Sequence, residues 1–364
     1  MKNEEIFMFS LKPDYSECKK RYDAFWANDT ADRPLVTGIV FPKEKGRVIP
    51  EKKYGSWKDK WLDIDHRVSV IAENMKNNIY YDDSMPVAFP NMGPEIFSAW
   101  CGCEYNFGET TTWSEPCIKD WEEDFGKARL DMEHPLFKKL EELTIKLLEI
   151  GRNDFITGLT DFHPGGDHLA ALRDPENLAV DLIENPEWVK KKTAESTKEY
   201  FKAYDHFYNI IKSYDMPVST WTPLIADDRY YVPSNDFSCM ISNEMFVEFF
   251  LDGIIEECRF YDKSIYHLDG PGALRHLDTL LDIKELNAVQ WVPGAGNESL
   301  ERWMPVYKKI QAAKKSIQIF DVDINNLDLV FENLRPEGVW ICRIGKVTNK
   351  EEADHVLKRV RNWK

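Results

Sequence analysis

From residue 133 onward, apolar runs of strand length alternate with stretches of helical period, and the connections between them are short. This alternation limits the fold more than any other feature of the chain. Strands joined through helices run parallel, and a parallel sheet needs cover on both faces. The pattern predicts strands at Phe155–Leu159, Pro217–Trp221, Ser264–Tyr266, Asn287–Trp291, Ile317–Phe320 and Gly338–Cys342. Helices are expected at Pro135–Gly151, Pro186–Tyr214, Asn243–Tyr261, 272–283, Glu298–Lys315, Leu327–Leu334 and Lys350–Trp363. Two earlier strands, Pro34–Val40 and Ser84–Phe89, bring the count to about eight. The expected fold is therefore α/β, a (β/α)8 TIM-type barrel with an irregular N-terminal extension. It forms a single domain, 1–364, with 1–130 packed on the barrel and 131–364 supplying its main part. No Gly-x-Gly-x-x-Gly follows the first strand, so a dinucleotide fold loses support.

Charge narrows the partners. The 364 residues include 47 Lys and Arg against 63 Asp and Glu, a net charge of −16. A chain without a basic stripe releases few counterions, which argues against nucleic acid or an anionic membrane as partner. No apolar run approaches a membrane span and no leader-like segment follows Met1, so a cytoplasmic protein is expected. The seven cysteines are scattered, as in a reducing compartment. Cys101 and Cys103 have no matching second pair and read as buried thiols.

The chemistry of a parallel barrel gathers at the carboxyl ends of its strands. The stretch Ser264–Gly272 carries His267 and Asp269 there, ahead of a Gly-Pro-Gly turn. In a strand, residues i and i+2 face the same way, so imidazole and carboxylate should emerge side by side. Other strand ends bring Asp161 and His163, then Asp167 and His168; Trp221; Trp291; Asp321 and Asp323; and Cys342. Asp236 lies in a long loop ahead of a helix. Simpler roles compete with these. Asp167 could cap a helix, or the helix start could offer N–H groups to an anionic substrate group. Trp291 could pack the barrel or stack on a ring, and His276 and Asp278 read as structural. Such a rim supports two chemistries. A His, Asp and Cys set can hold zinc with an open position. Without metal, paired carboxylates with a histidine can run acid–base work on a glycosidic or carboxyl-bearing substrate.

Several stretches resemble the uroporphyrinogen decarboxylase superfamily over roughly 85–360. They are Thr160-Asp-Phe-His163 with His168-Leu-Ala-Ala-Leu172, Asp174-Pro-Glu-Asn-Leu178, Glu184-Asn-Pro-Glu-Trp-Val189, Ile241–Phe250, and the His-x-x-Gly of 267–270. The resemblance implies a (β/α)8 barrel and either decarboxylation or cobalamin-linked methyl transfer. The arginine-rich segment with which the decarboxylases hold acidic side chains has no counterpart; Asp32–Val40 stands in its place. The methyltransferases bind zinc through His-x-Cys and a second Cys near the last strand. Here His267 matches the His, Asp269 stands at the first Cys and Cys342 matches the second.

The expectation is an enzyme acting on a small organic substrate by corrinoid-linked methyl transfer, the corrinoid carried by a partner protein. His267, Asp269, Asp161 and Asp236 are the catalytic candidates, with His267, Asp269 and Cys342 as zinc ligands. His163, Asp167, His168, Trp221, Trp291 and Asp321 are the substrate-binding candidates. The alternatives are a metal-free glycoside hydrolase or lyase, and a non-catalytic binding protein on the same barrel.

Overall fold

The computed structural model describes residues 9–297 and 299–364; residues 1–8 and Glu298 lie outside the described residues, as does the side chain of Asp321. Eight strands, each parallel to the neighbours it pairs with, frame the site. They are β1 (Leu35–Thr37), β2 (Val87–Ala88), β3 (Ile156–Thr157), β4 (Tyr230–Tyr231), β5 (Lys263–Asp269), β6 (Ala288–Val292), β7 (Ser316–Asp323) and β8 (Val339–Gly345). Six of them form one curled sheet in the order β1-β8-β7-β6-β5-β4, and β2 and β3 form a separate parallel pair. Single backbone bonds continue the arrangement beyond those ladders. Asp83 N donates to Val36 O (3.0 Å) beside β1, and Leu159 N to Ser219 O (2.7 Å) beyond β3.

The central strands are buried on both faces, as crossover helices require. Val289, Ile317, Ile319, Val339 and Ile341 share one face, and the buried Ala288, Gln290, Gln318 and Trp340 share the other. Strand β5 runs to Asp269, three residues further than its apolar pattern predicts, because its ladder with β6 extends through Val292↔Asp269. His267 and Asp269 thus belong to the strand itself. Pro217–Trp221, expected as a strand, forms no ladder; it has an isolated antiparallel bridge, Val218↔Ala226, and the one bond from Leu159 N to Ser219 O. Tyr230–Tyr231 occupies the parallel position instead, paired with Lys263 and Ser264. The expected helix 243–261 breaks at Phe250 into Asn243–Phe249 and Leu251–Phe260, and both Phe249 and Phe250 are buried at the break.

Residues before 130 contribute β1 and β2, so they share the sheet and the core with the rest of the chain. A buried ion cluster fixes this junction. Asp83, fully enclosed, accepts from Arg33 Nη1 (2.5 Å) and Nη2 (3.0 Å), Arg21 Nη1 (2.9 Å) and Val36 N (3.0 Å). Among the described residues, no helix is long and apolar enough to cross a membrane.

Removing one member of a buried pair leaves the other charge uncompensated. Arg33 is only 5% exposed. Asp83→Asn should therefore destabilise the fold by about 3 kcal/mol, read as a lower urea midpoint. An unchanged midpoint would show that the arginines relax to solvent.

Candidate functional site

Strand register builds the centre of the site. His267, Gln290 and Gln318 are register partners on β5, β6 and β7, so their side chains share one face of the sheet. Gln290 Nε2 donates to Gln318 Oε1 at 2.6 Å, which leaves Gln290 Oε1 to accept from His267 Nδ1. With Nδ1 donating, the neutral ring carries its lone pair on Nε2. That atom faces Asp236 Oδ1 at 3.9 Å, too far for a hydrogen bond. The Trp221 ring meets His267 edge-on, with centroids 5.4 Å apart. The carboxylate of Asp269, though at the start of the next helical turn, makes no capping bond.

A second histidine approaches from β3. Tyr231 Oη donates to Thr160 O (2.9 Å) and accepts from Phe162 N (2.6 Å), pinning the strand-end segment to β4. Phe162 is buried, while its neighbours Asp161 and His163 form an ion pair, Oδ2 to Nδ1, at 3.2 Å. His163 takes a positive φ of 43°. Asp167 follows on the Gly166–Arg173 helix, with Oδ1 accepting from Phe237 N (2.9 Å) and Oδ2 from Ser234 Oγ (3.2 Å). Those two bonds hold the loop that carries Asp236. Gly166 is required there, since a Cβ would stand 2.2 Å from the buried Asn235 amide oxygen.

Asp236 is the shared member of two clusters. His163, Asp167 and Asp236 have ligand atoms within 4.8 Å of one another, and so do Asp236, His267 and Asp269. Its side chain is 43% exposed. Its Oδ1, however, is enclosed and has no hydrogen-bond partner among the described residues. Burial, then the charge of Asp167, pushes its carboxyl up to about 6, against the pull of His267 and His163. Burial opposes protonation of His163, but Asp161, Asp167 and Asp236 outweigh it and push the imidazole up to about 10. At neutral pH His163 is therefore a cation inside an acidic centre. A cleft of about 580 Å³ opens beside it, lined by His163, Asp167 and Asp236 with Glu95, Trp113 and Glu115.

Other candidates lie elsewhere. His168 is one residue from Asp167 and so turned roughly 100° around the helix. It is buried, bonded to Ser98 Oγ (2.7 Å) and packed on Phe97, and burial holds it down to about 3. It is a core histidine and does not reach the cleft. Trp291 follows Gln290 on the strand and so points to the opposite face, where it packs on Trp303 at 5.0 Å. Either as stacking wall or site residue, it is on the wrong side of the sheet. Cys342 sits on β8, three strands along from β5, and joins neither ligand cluster. Asp321 lies on β7 with its side chain outside the described residues, while Asp323 caps the next turn through Asn325 N (2.9 Å). His276 is structural, bonded to Asn243 and Ser238. Gln290 and Gln318 are site residues that the sequence reading misses. The available signal is a lone glutamine at the centre of each of two apolar strands.

No family model and no curated protein matches this sequence. Among solved structures, a methyltransferase from Methanosarcina mazei is similar in fold, with a TM-score of 0.56 at 13% identity over 97% of this chain and 98% of that one.

The relay and the shared carboxylate each yield a test. Gln318→Leu should free Gln290 to turn its NH2 toward His267. Nitrogen NMR should then show the ring shifting toward the Nε2–H form, and an unchanged tautomer would discount the relay. A carboxyl whose folded pKa is raised favours the folded state less once it ionises. Asp236 therefore costs stability as pH rises from its unfolded value through about 6. Asp236→Asn should raise stability at pH 7 by about 1 kcal/mol, allowing for screening at a partly open group.

Proposed function

We propose that the chain is a methyltransferase-like enzyme on a closed (β/α)8 barrel, acting on a small organic substrate with a divalent cation, zinc, at His267, Asp236 and Asp269. The single observation that carries this reading is the unpartnered Asp236 Oδ1 facing a His267 Nε2 whose other nitrogen is already engaged. Two ligands on one zinc stand roughly 3.4 Å apart, from bonds of about 2.0–2.2 Å, close to the 3.9 Å seen here. Metal-bound histidines characteristically donate through their second nitrogen, as His267 does to Gln290. The donor set is harder than the His and two Cys of the resembling methyltransferases, and it needs no contribution from Cys342. The fold shared with a methyltransferase and the sequence resemblance support methyl transfer, and the resemblance supports a corrinoid carried by a partner protein.

Bound there, the cation would act as a Lewis acid on the group that carries or receives the methyl. The chain's own residues supply the rest. Gln318 and Gln290 keep His267 in one tautomer and one orientation. Trp221 confines the His267 ring from the side. Protonated His163, backed by Asp161, offers a donor to a substrate oxygen that gains negative charge. Asp167 fixes the loop that presents Asp236.

A second reading has its own observation. A carboxyl pushed up to about 6 is suited to donate a proton near neutrality. Asp236 would then be the general acid of a metal-free hydrolase or lyase, with Asp161 or Asp269 as its partner. A non-catalytic binding role would leave both arrangements without turnover.

Zinc titration by calorimetry separates these readings. The chain should bind about one zinc through this set, and His267→Ala or Asp236→Asn should weaken binding by roughly 10²-fold or more. Because the ligand must be ionised, affinity should hold above pH 6 and decline below it as Asp236 takes up a proton. Chelator-treated protein that retains full turnover would instead establish the acid–base reading.

A further inference from the structure

Two of the seven cysteines have their sulfurs in contact. Cys103 Sγ lies 3.4 Å from Cys117 Sγ. The pair closes the base of a β-hairpin, Glu104–Phe107 with Thr112–Glu115, whose register pairs Glu104 with Glu115. Cys103 is 4% exposed and also approaches Ala171 O at 3.6 Å, on the helix that carries Asp167. Cys117 is only partly buried and borders an open cleft of about 660 Å³ with Gly102, Glu104 and Lys119. The arrangement has one enclosed thiol, one reachable thiol and an approach to the second.

We propose that Cys103 and Cys117 are a reversible disulfide site, closed by exchange with a small disulfide that enters over Cys117. Spacing alone does not reveal this pairing, because the residues are fourteen positions apart and their meeting depends on the hairpin. The chemistry follows from which sulfur can be reached. Cys103 donating its S–H to Cys117 favours the Cys117 thiolate and pushes its thiol down, and a thiolate is the attacking form. Cys117 displaces one thiol from the incoming disulfide and holds the other half as a mixed disulfide. Cys103 then loses its proton and attacks the Cys117 sulfur, releasing the second thiol. Two protein thiols and one small disulfide become one protein disulfide and two small thiols, with two electrons transferred to the reagent.

Closure also bears on the neighbouring site. Trp113, Ser114 and Glu115 of the hairpin form one wall of the cleft that holds His163 and Asp236. Ser114 is tied to Glu95 by N–H and Oγ bonds of 2.6 and 2.7 Å. A covalent link at the hairpin base holds that wall in place.

The test uses the full chain with Cys239→Ser, because Cys239 is exposed, and hydroxyethyl disulfide as a neutral probe. Intact mass should fall by two hydrogens, and peptide mapping should join Cys103 to Cys117. Hydrogen exchange across 104–115 should slow, and reduction should reverse both changes. Cys117→Ser, at the more open position, should abolish the linkage while the protein stays folded. A mixed disulfide that persists on Cys117, or alkylation of both thiols after treatment, would overturn the proposal. So would slowed exchange that survives in Cys117→Ser.

Discussion

The site depends on a line of side-chain hydrogen bonds running across three parallel strands. Gln318 orients Gln290, and Gln290 orients His267. Each link is a register partner of the next, so the sheet itself sets their spacing. Buried amides are costly when unpaired, which makes a fully connected line self-enforcing. Gln290 and Gln318 are each about 1% exposed. The sheet thereby turns backbone register into the protonation pattern of one imidazole.

Charge crowding does the complementary work. Asp161, Asp167, Asp236 and Asp269 come together from three different chain segments around two histidines. The charge of Asp167 adds to burial in raising Asp236, and the two carboxylates differ in their partners. Asp167 is satisfied by Phe237 N and Ser234 Oγ, while Asp236 Oδ1 is left without a partner. His163 gains positive charge from the same crowd. Asp236 and His163 are thus pushed in the same direction, toward holding a proton.

Much of this is legible in the chain, for identifiable reasons. The strand–helix alternation locates seven of the eight parallel strands, because strands buried on both faces are apolar runs. It fails at 217–221, where an apolar run with a proline and a tryptophan resembles a strand, while Tyr230–Tyr231 is too short to register. Period alone places His267 and Asp269 at the strand end. His168 and Trp291 go astray by one residue each, since a single step reverses a strand side chain and turns a helical one by roughly 100°.

Sequence by itself determined the α/β character, the location of the carboxyl edge and the residue types gathered there, because periodicity and composition are local properties. Tertiary structure decided which of those residues meet. Asp236 joins both histidines only because Asp167 anchors its loop from another helix. The two glutamines matter only because parallel register aligns them with His267. Cys103 and Cys117 touch only because a hairpin folds back on itself. Each of these depends on contacts between residues distant in the chain, formed when the sheet and its covering helices close around one core.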